Sequence, residues 1–521
     1  MKALSRIAAT VLLIGASCTS PAIVGVAVAS PIPSSAAVPA SLTLTHTTQG
    51  QDFWLAFEGN YDGASDLYLS VTSTDSTTGR VTAPGLDFTA NFAVTAGEVT
   101  RVPLPLTVQN MTNDRVGAGG IHVTAVDPVT VSGLNTETFT SDGLLALPTE
   151  TLGDHYIVQT YASYLTFGSQ FEAVATADNT TVTITPSETV GAHPKGVPYP
   201  ISLDAGQTYQ LADAGVMSTD LTGTDVLADK PIAVLAGNRC ASVPRDAVAC
   251  NTLAEELLPT SAWGTSFITE PFATRKGDLF RVVAADAKTT VTVDGALLAT
   301  LDAGEFTDTE IGHSAVISSD KPIQVMQYSQ SHSVDDAVGD PFSLTVVPTS
   351  QFLTSYTVAT PSAQTTPQIT QNYLNIIAPS DQIAALSLDG SGLDTTAFSV
   401  IGTSGYSGAQ VPVSVGAHRL DGPQGFGVAA YGYGKADGYG FPGGLGVTTT
   451  VSAATSAASA GSSASSDSAP TATPNETSAI GATSSSAGAV SSGSGSLFTP
   501  HPIVEASPTL PADTGTSVVA P

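Results

Sequence analysis

The chain has 521 residues, 45 of them acidic and 16 basic, for a formal net charge of −29 with only 12% of residues charged. That balance excludes nucleic acid and anionic membrane surfaces as partners, because both are bound through clustered Lys and Arg. The length allows several domains, and abundant Thr, Val, Gly and Ser beside few Lys is the composition of an all-β surface protein.

The N-terminus predicts a signal peptide over residues 1–29. Lys2 and Arg6 precede the apolar run ATVLLIGA, and Ala27-Val28-Ala29 offers a cleavage site. Cys18, after Ile14-Gly15-Ala16-Ser17, forms a rival lipobox-like site that would leave a lipidated cysteine. No later segment reaches the eighteen or so apolar residues of a membrane helix. The expected location is therefore secreted or cell surface, with no membrane insertion after cleavage and a short linker over 30–45.

From there to about residue 446 the chain alternates as sheet does. FWLAF, LYLSVTS, IHVTAV, YIVQTY, FEAVAT, TTVTITP, IAVLAG, FRVVAA, TTVTVDG, IQVMQY, LNIIAP and GFGVAAYGY are the clearest candidate strands. CNTLAEELLP, Cys250 to Pro259, is the one stretch whose apolar spacing suggests a helical turn. Similar pieces recur. Leu147-Pro148-Thr149, Leu258-Pro259-Thr260 and Val347-Pro348-Thr349 are each followed, eight residues after the Pro, by Tyr156, Phe267 and Tyr356. FEAVATADNTTVTITP matches FRVVAADAKTTVTVDG, and VDPVTV, ADKPIAV and SDKPIQV match one another. The Asp-Pro or Lys-Pro step is expected to turn the chain into a strand, since Pro has no N–H for an interior ladder position. Self-similarity at this period implies repeated modules. The predicted fold is all-β, with about four tandem antiparallel units over roughly 46–146, 147–257, 258–346 and 347–446. The units are sandwich-like modules, with a propeller-like arrangement as the alternative.

Cys240 and Cys250 are expected to form one disulfide, as two cysteines in an exported protein do. Beyond residue 446 the Ser/Ala/Thr/Pro-rich composition predicts a disordered tail over 447–521. Within it, Leu510 to Gly515 resembles a sortase signal with one residue inserted and reads as coincidence or a decayed anchor.

The run from Ala228 to Gly295, with its Cys-x9-Cys loop, acidic-apolar stretch, Pro259 and Trp263-Gly264, resembles the IgG Fc-binding protein family's N-terminal domain, as does Ile121 to Val158. The similarity runs from about Gln51 to Gly444. It implies an extracellular, non-enzymatic binding domain of the kind carried by bacterial secreted or surface members of that family. The cysteine-rich modules of the family's mucus protein do not follow here, which puts mucus cross-linking in doubt.

No catalytic constellation is evident. Gly402-Thr403-Ser404-Gly405-Tyr406 misses the nucleophile-elbow pattern, and the eight histidines form no spaced set. His332 with Asp335 and Asp336 reads as a solvated loop, and Gly339-Asp340-Pro341-Phe342 as a turn. Asn60 to Asp66 and Asp389 to Asp394 are oxygen-rich but read as hairpin turns rather than calcium loops. No metal, cofactor or catalytic residue is assigned. Tyr431, Tyr433, Tyr439 and Phe441, set among glycines, are either contact residues for a ligand or the residues that close the last unit against the first. Trp54 and Trp263 are expected in the core. The expected function is recognition of an extracellular glycoprotein, glycan or immunoglobulin-like ligand, with cell-wall association. A self-associating envelope or matrix protein and an unrecognised hydrolase are the alternatives.

Overall fold

Each unit is built on one long strand that carries a proline in its middle. These spine strands are Ile121–Glu137, Asp225–Ala241, Ala315–Tyr328 and Gly416–Gly434 in a computed structural model of the chain. The structure describes residues 42–451 apart from 65, 163–167, 214–218 and 362–368; the predicted signal peptide, the sortase-like motif and the tail beyond 451 lie outside it, while 42–45 of the predicted linker and 447–451 of the predicted tail are strand.

The Asp-Pro and Lys-Pro steps do not begin the strands as expected; they interrupt them. In the second unit Gly153 faces Ile232 while His155 faces Leu227, so the spine bulges at Asp229-Lys230-Pro231. The same register shift falls at Asp127-Pro128, Asp320-Lys321-Pro322 and Asp421-Gly422-Pro423. Pro cannot donate to the ladder, and a bulge bends and twists the strand, so the spine turns a corner and crosses from one half-sheet to the other. The rest of the triplet clips the corner to a neighbouring hairpin. Asp229 Oδ1 accepts from Thr181 N (2.8 Å), and Lys230 Nζ donates to Asp178 O and Asn179 O (2.7 and 2.6 Å). Asp320 and Lys321 repeat both contacts, on Thr290 N and Ala287 O.

In the second unit the first half of the spine pairs with Gly153–Ile157 and Thr180–Thr185; the second half pairs with Ser169–Ala175 and Asn251–Glu256. The two half-sheets enclose Phe171, Val182, Ile184, Val226 and Val234, all fully buried. Each such side chain contributes about 1.5–3 kcal/mol of burial. The other units repeat this order around their own cores. The fourth reduces the hairpin to Ser387–Leu388 and Ser391–Gly392.

The last strand of each unit is the innermost. These inner strands, Thr140–Leu145, Asn251–Glu256, Ser343–Thr345 and Asp437–Pro442, are buried along their whole length. Each touches the inner strand of the unit before and after it, and the fourth returns to the first. The units are thus sandwich-like individually and a closed ring together. Asn251–Glu256 is a strand, not the helical turn that CNTLAEELLP suggests. A strand buried on both faces loses polar alternation, and the spacing of Leu253, Leu257 and Leu258 then imitates a helix.

The Leu/Val-Pro-Thr recurrence is the handover between units. Each Pro precedes a single 3₁₀ turn, Thr149–Thr151, Thr260–Ala262 or Thr349–Gln351. Each Pro also lies on a glycine of the preceding unit: Pro148 on Gly50, Pro259 on Gly153 and Pro348 on Gly264, where an added Cβ would come within 2.4–2.6 Å of the ring. Tyr156 and Tyr356 brace the following bulges, donating to Ile232 O (2.7 Å) and Phe426 O. Strand Leu42–Thr47 pairs with Gly446–Val451, joining the ends of the ring in a ribbon that touches the handover turns.

Candidate functional site

Four connections lead from a spine to an inner strand, and all four open at one end of the ring. Ser141 Oγ donates to Asp437 Oδ2 (2.9 Å), Asn251 Nδ2 donates to Ser141 O (3.0 Å), and Ser343 N donates to Asp142 Oδ2 (3.2 Å), so the inner strands start side by side. Two connections are short turns, at Thr138-Phe139 and Lys435-Ala436. The other two are long loops, 242–250 and 329–342. The first long loop is closed by the Cys240–Cys250 disulfide, as the sequence predicts, with Cα atoms 5.0 Å apart. The second carries a helical turn, His332–Asp335.

The long loops are stapled together. Ser331 N donates to Val243 O (2.7 Å), Ser331 Oγ to Ala249 O (2.7 Å) and Ser333 Oγ to Val248 O (2.7 Å), while Val248 N donates back to Ser333 Oγ (3.0 Å). These bonds fix the pair, which faces outward with exposed Asp246 and Asp336 as well as apolar side chains. Val248 is 73% exposed, and Phe139, Val338 and Val334 are each 44–49% exposed. An open groove of about 660 Å³ runs between His332, Val338, Gly339, Gln371, Lys435 and Ala436. The result is a preorganised rim of exposed apolar residues set among charged ones.

Of His332, Asp335 and Asp336, which read as a solvated loop, Asp336 is exposed and His332 half-exposed, but Asp335 is buried. Asp335 meets Arg275 at 3.0 Å with both side chains nearly sealed from solvent, and His332 Nδ1 lies 2.7 Å from Asp340 Oδ1. Phe342 is core rather than turn surface. The remaining described histidines are dispersed, each against its own carboxylate: His46–Glu150, His122–Asp52, His155–Asp225, His193–Asp114, His313–Asp294 and His418–Asp389, at 2.7–3.2 Å. Asn60 is buried against Asn135 and Thr140, and Asp389 holds His418 and Arg419 N, so both oxygen-rich stretches serve the hairpins around them. Among the described residues no group of three or more His, Cys, Asp or Glu is placed to hold a metal ion.

Tyr431, Tyr433, Tyr439 and Phe441 are on the fourth spine and inner strand, not on a loop, and are at most 3% exposed. They offer no surface to a ligand. Tyr431 donates to Asn375 Oδ1 (2.7 Å) and accepts from Ala273 N of the third unit (2.9 Å), and Arg275 lies over the Tyr433 ring. Phe441 fills the space above Gly143 of the first unit. Alternate glycines let the aromatic rings pack against neighbouring units, which is why the segment resembles a flexible contact loop. Trp54 and Trp263 are in the core as expected, Trp54 stacked on His122 at 4.2 Å. The sequence does not single out the exposed rim residues: Val248 and Val338 sit beside alanines in their loops, and only Phe139, inside the polar run Glu137 to Gly143, stands out from its neighbours.

Carboxylates do converge, but in the interior. Asp142 on the first inner strand accepts backbone N–H bonds from Ala254, Ser343 and Gly440, one from each other unit, and from Gly143. Burial pushes its pKa up and the four donors pull it back. Glu255 beside it is raised by burial and by the Asp142 charge. Asp437 is raised to about 7 by burial against hydrogen bonds that include Ser141 and Asn251. Arg281, 1% exposed, joins the second and third units through Asp220 (2.7 Å), Asp308 (2.8 Å) and Thr160 O (2.8 Å). These groups fix the ring geometry that holds the rim.

The family model described as IgGFc binding protein matches residues 142–432. The human IgGFc-binding protein is 25% identical over 419 residues, which cover 77% of this chain. The aligned part amounts to 8% of that relative's length. The family match begins at Asp142, the hub of the inner strands, and ends within the fourth spine. The chain belongs to the IgGFc-binding protein family.

Proposed function

We propose that this chain is an extracellular binding domain that recognises a folded protein through the rim at the inner-strand turns. The carrying observation is the pair of long loops, one closed by the Cys240–Cys250 disulfide, hydrogen-bonded to each other and presenting Val248 and Val334 to solvent. A rigid scaffold with loops at one end is how many binding proteins are arranged, and rigid apolar contacts keep the entropy loss on association small. The name of the human relative makes the Fc part of immunoglobulin G the first ligand to test. Secretion or display at the cell surface belongs to the same reading. So does binding in place of catalysis, since Asp142, Glu255, Glu256 and Asp437 are at most 2% exposed and present no surface to a substrate.

The test is biolayer interferometry of the full chain against immobilised Fc and a panel of serum glycoproteins, with Val248→Asp and Val334→Asp variants. Loss of a central apolar contact is expected to weaken binding at least about tenfold at unchanged melting temperature. Undiminished binding by both variants would remove the rim from the interface. Binding to a panel glycoprotein but not to Fc would keep the rim and replace the ligand.

A further inference from the structure

Between the first and second units lies a sealed group of oxygen atoms that the fold leaves short of donors. Glu58 lies on the two-residue strand Phe57–Glu58, which pairs with Gln109–Asn110. Gln170 and Glu172 are two apart on strand Ser169–Ala175 and so face the same way. Gln210 is directly opposite Glu172, and Gly237 of the spine is opposite Gln170, which puts both on that face. Gly237 has no side chain, and a Cβ there would come within 3.2 Å of Glu58 Oε2. The backbone carbonyl of Leu253 fills that space, 1.8 Å from such a Cβ, and the Glu58 carboxylate borders it, beside the face that carries Gln170, Glu172 and Gln210. All four side chains belong to residues no more than 3% exposed.

The amides are turned so that nitrogen points away. Gln170 Nε2 donates to Gly59 O (2.8 Å), Gln210 Nε2 to Thr112 O (2.7 Å), and Asn110 Nδ2 to Glu172 Oε1 (2.8 Å). What remains is Glu58 Oε1 and Oε2, Glu172 Oε2, Gln170 Oε1 and Gln210 Oε1, all buried and without a close hydrogen-bond partner; one donor, the Thr208 hydroxyl, lies beside the Glu172 carboxylate. The basic side chain two residues along the same face, Arg239, is directed to Asn60 O and Tyr61 O at 3.0 and 2.8 Å. Arg115, opposite Gln210, is exposed. Buried acceptors without donors are costly, and two carboxylates sharing such a space cannot both stay charged unassisted.

We propose that Glu58, Glu172, Gln170 and Gln210 form a calcium site that locks the first unit to the second. The donor set is oxygen only, which suits a hard cation. Two carboxylates balance its charge, and calcium tolerates an irregular shell of carboxylate and amide oxygens better than magnesium does. The site lies outside the rim and does not depend on the binding reading above.

The full chain, stripped with EGTA and returned to pH 7.5, is melted with calcium chloride, with magnesium chloride and with neither, and is titrated calorimetrically with calcium. One calcium per chain is expected, with a rise of at least about 2 °C at a hundredfold excess over Kd. Magnesium is expected to give less. Gln170→Leu and Glu172→Gln should lose that increment; at pH 5.5, where the acids can be neutralised by protons, both variants should melt cooperatively, which separates lost binding from failed folding. No calcium-dependent shift in the wild type, with a melting temperature that rises on acidification alone, would assign the pair a shared proton and overturn the proposal. So would an undiminished calcium response in Glu172→Gln.

Discussion

Asp142 shows how one side chain can organise a repeat protein. Its two oxygens accept four backbone N–H groups, so every inner strand is registered against the same atom pair. The interior holds further buried acids. Glu172, Asp278 and Asp437 are each raised by burial to about 7, against about 4 in an unfolded chain. The folded state thus binds more protons than the unfolded state between about pH 4 and 7. Their contribution is fully present below the unfolded value and is lost as pH rises through about 7. Asp114, Asp294 and Asp421 are exposed and held low by hydrogen-bonded partners, which opposes this only in stronger acid. The melting temperature in EGTA should therefore climb as pH falls from 8 to 5.5. A flat or falling profile would mean the buried acids are neutralised some other way. Asp278→Asn should flatten part of the slope.

At the scale of elements, the proline-on-glycine handover is the most testable feature. A Cβ at Gly153 would come within 2.5 Å of Pro259 Cβ, and the proline is held by its 3₁₀ turn and cannot swing aside. Gly153→Ala should destabilise by about 1–3 kcal/mol, as overpacking does. Gly392→Ala, with nothing within 4 Å of the new methyl group, should stay within about 0.5 kcal/mol. Denaturant midpoints of the two variants at constant m-value decide the matter. The handovers were legible because Leu/Val-Pro-Thr recurs with an aromatic at fixed distance. The Asp-Lys-Pro corner was half legible: composition marks a break in the ladder but not whether the chain turns there or bulges and continues. Bulging wins because the residues on both sides of the proline pair with the same entry strand.

For the whole molecule, closure is the feature that local pattern does not contain. Leu42–Thr47 and Gly446–Val451 are some four hundred residues apart, and their ribbon touches the turns at which units meet. A chain beginning at Thr48 loses one edge of that ribbon and uncovers those turns. It should melt at lower temperature than the parent, still in one transition, because the inner strands couple all four units. An unchanged melting temperature would show that the ribbon is not part of the cooperative body. Two separate transitions would show that the ring, not the unit, depends on it.

The sequence by itself determined the β class, the repeat, the disulfide and the family, because alternation, recurrence and spacing are local properties that survive in a linear string. Burial on both faces erased that signal in the inner strands, so Asn251–Glu256 read as helix, and the Tyr431 to Phe441 aromatics read as candidates for a surface. Only the tertiary structure decided that four sandwiches close into a ring, that Asp142 holds its centre, and that Phe139, Val248, Val334 and Val338 share one rim. Those outcomes depend on which units touch across the ring, and contacts between residues hundreds of positions apart leave no periodicity to read.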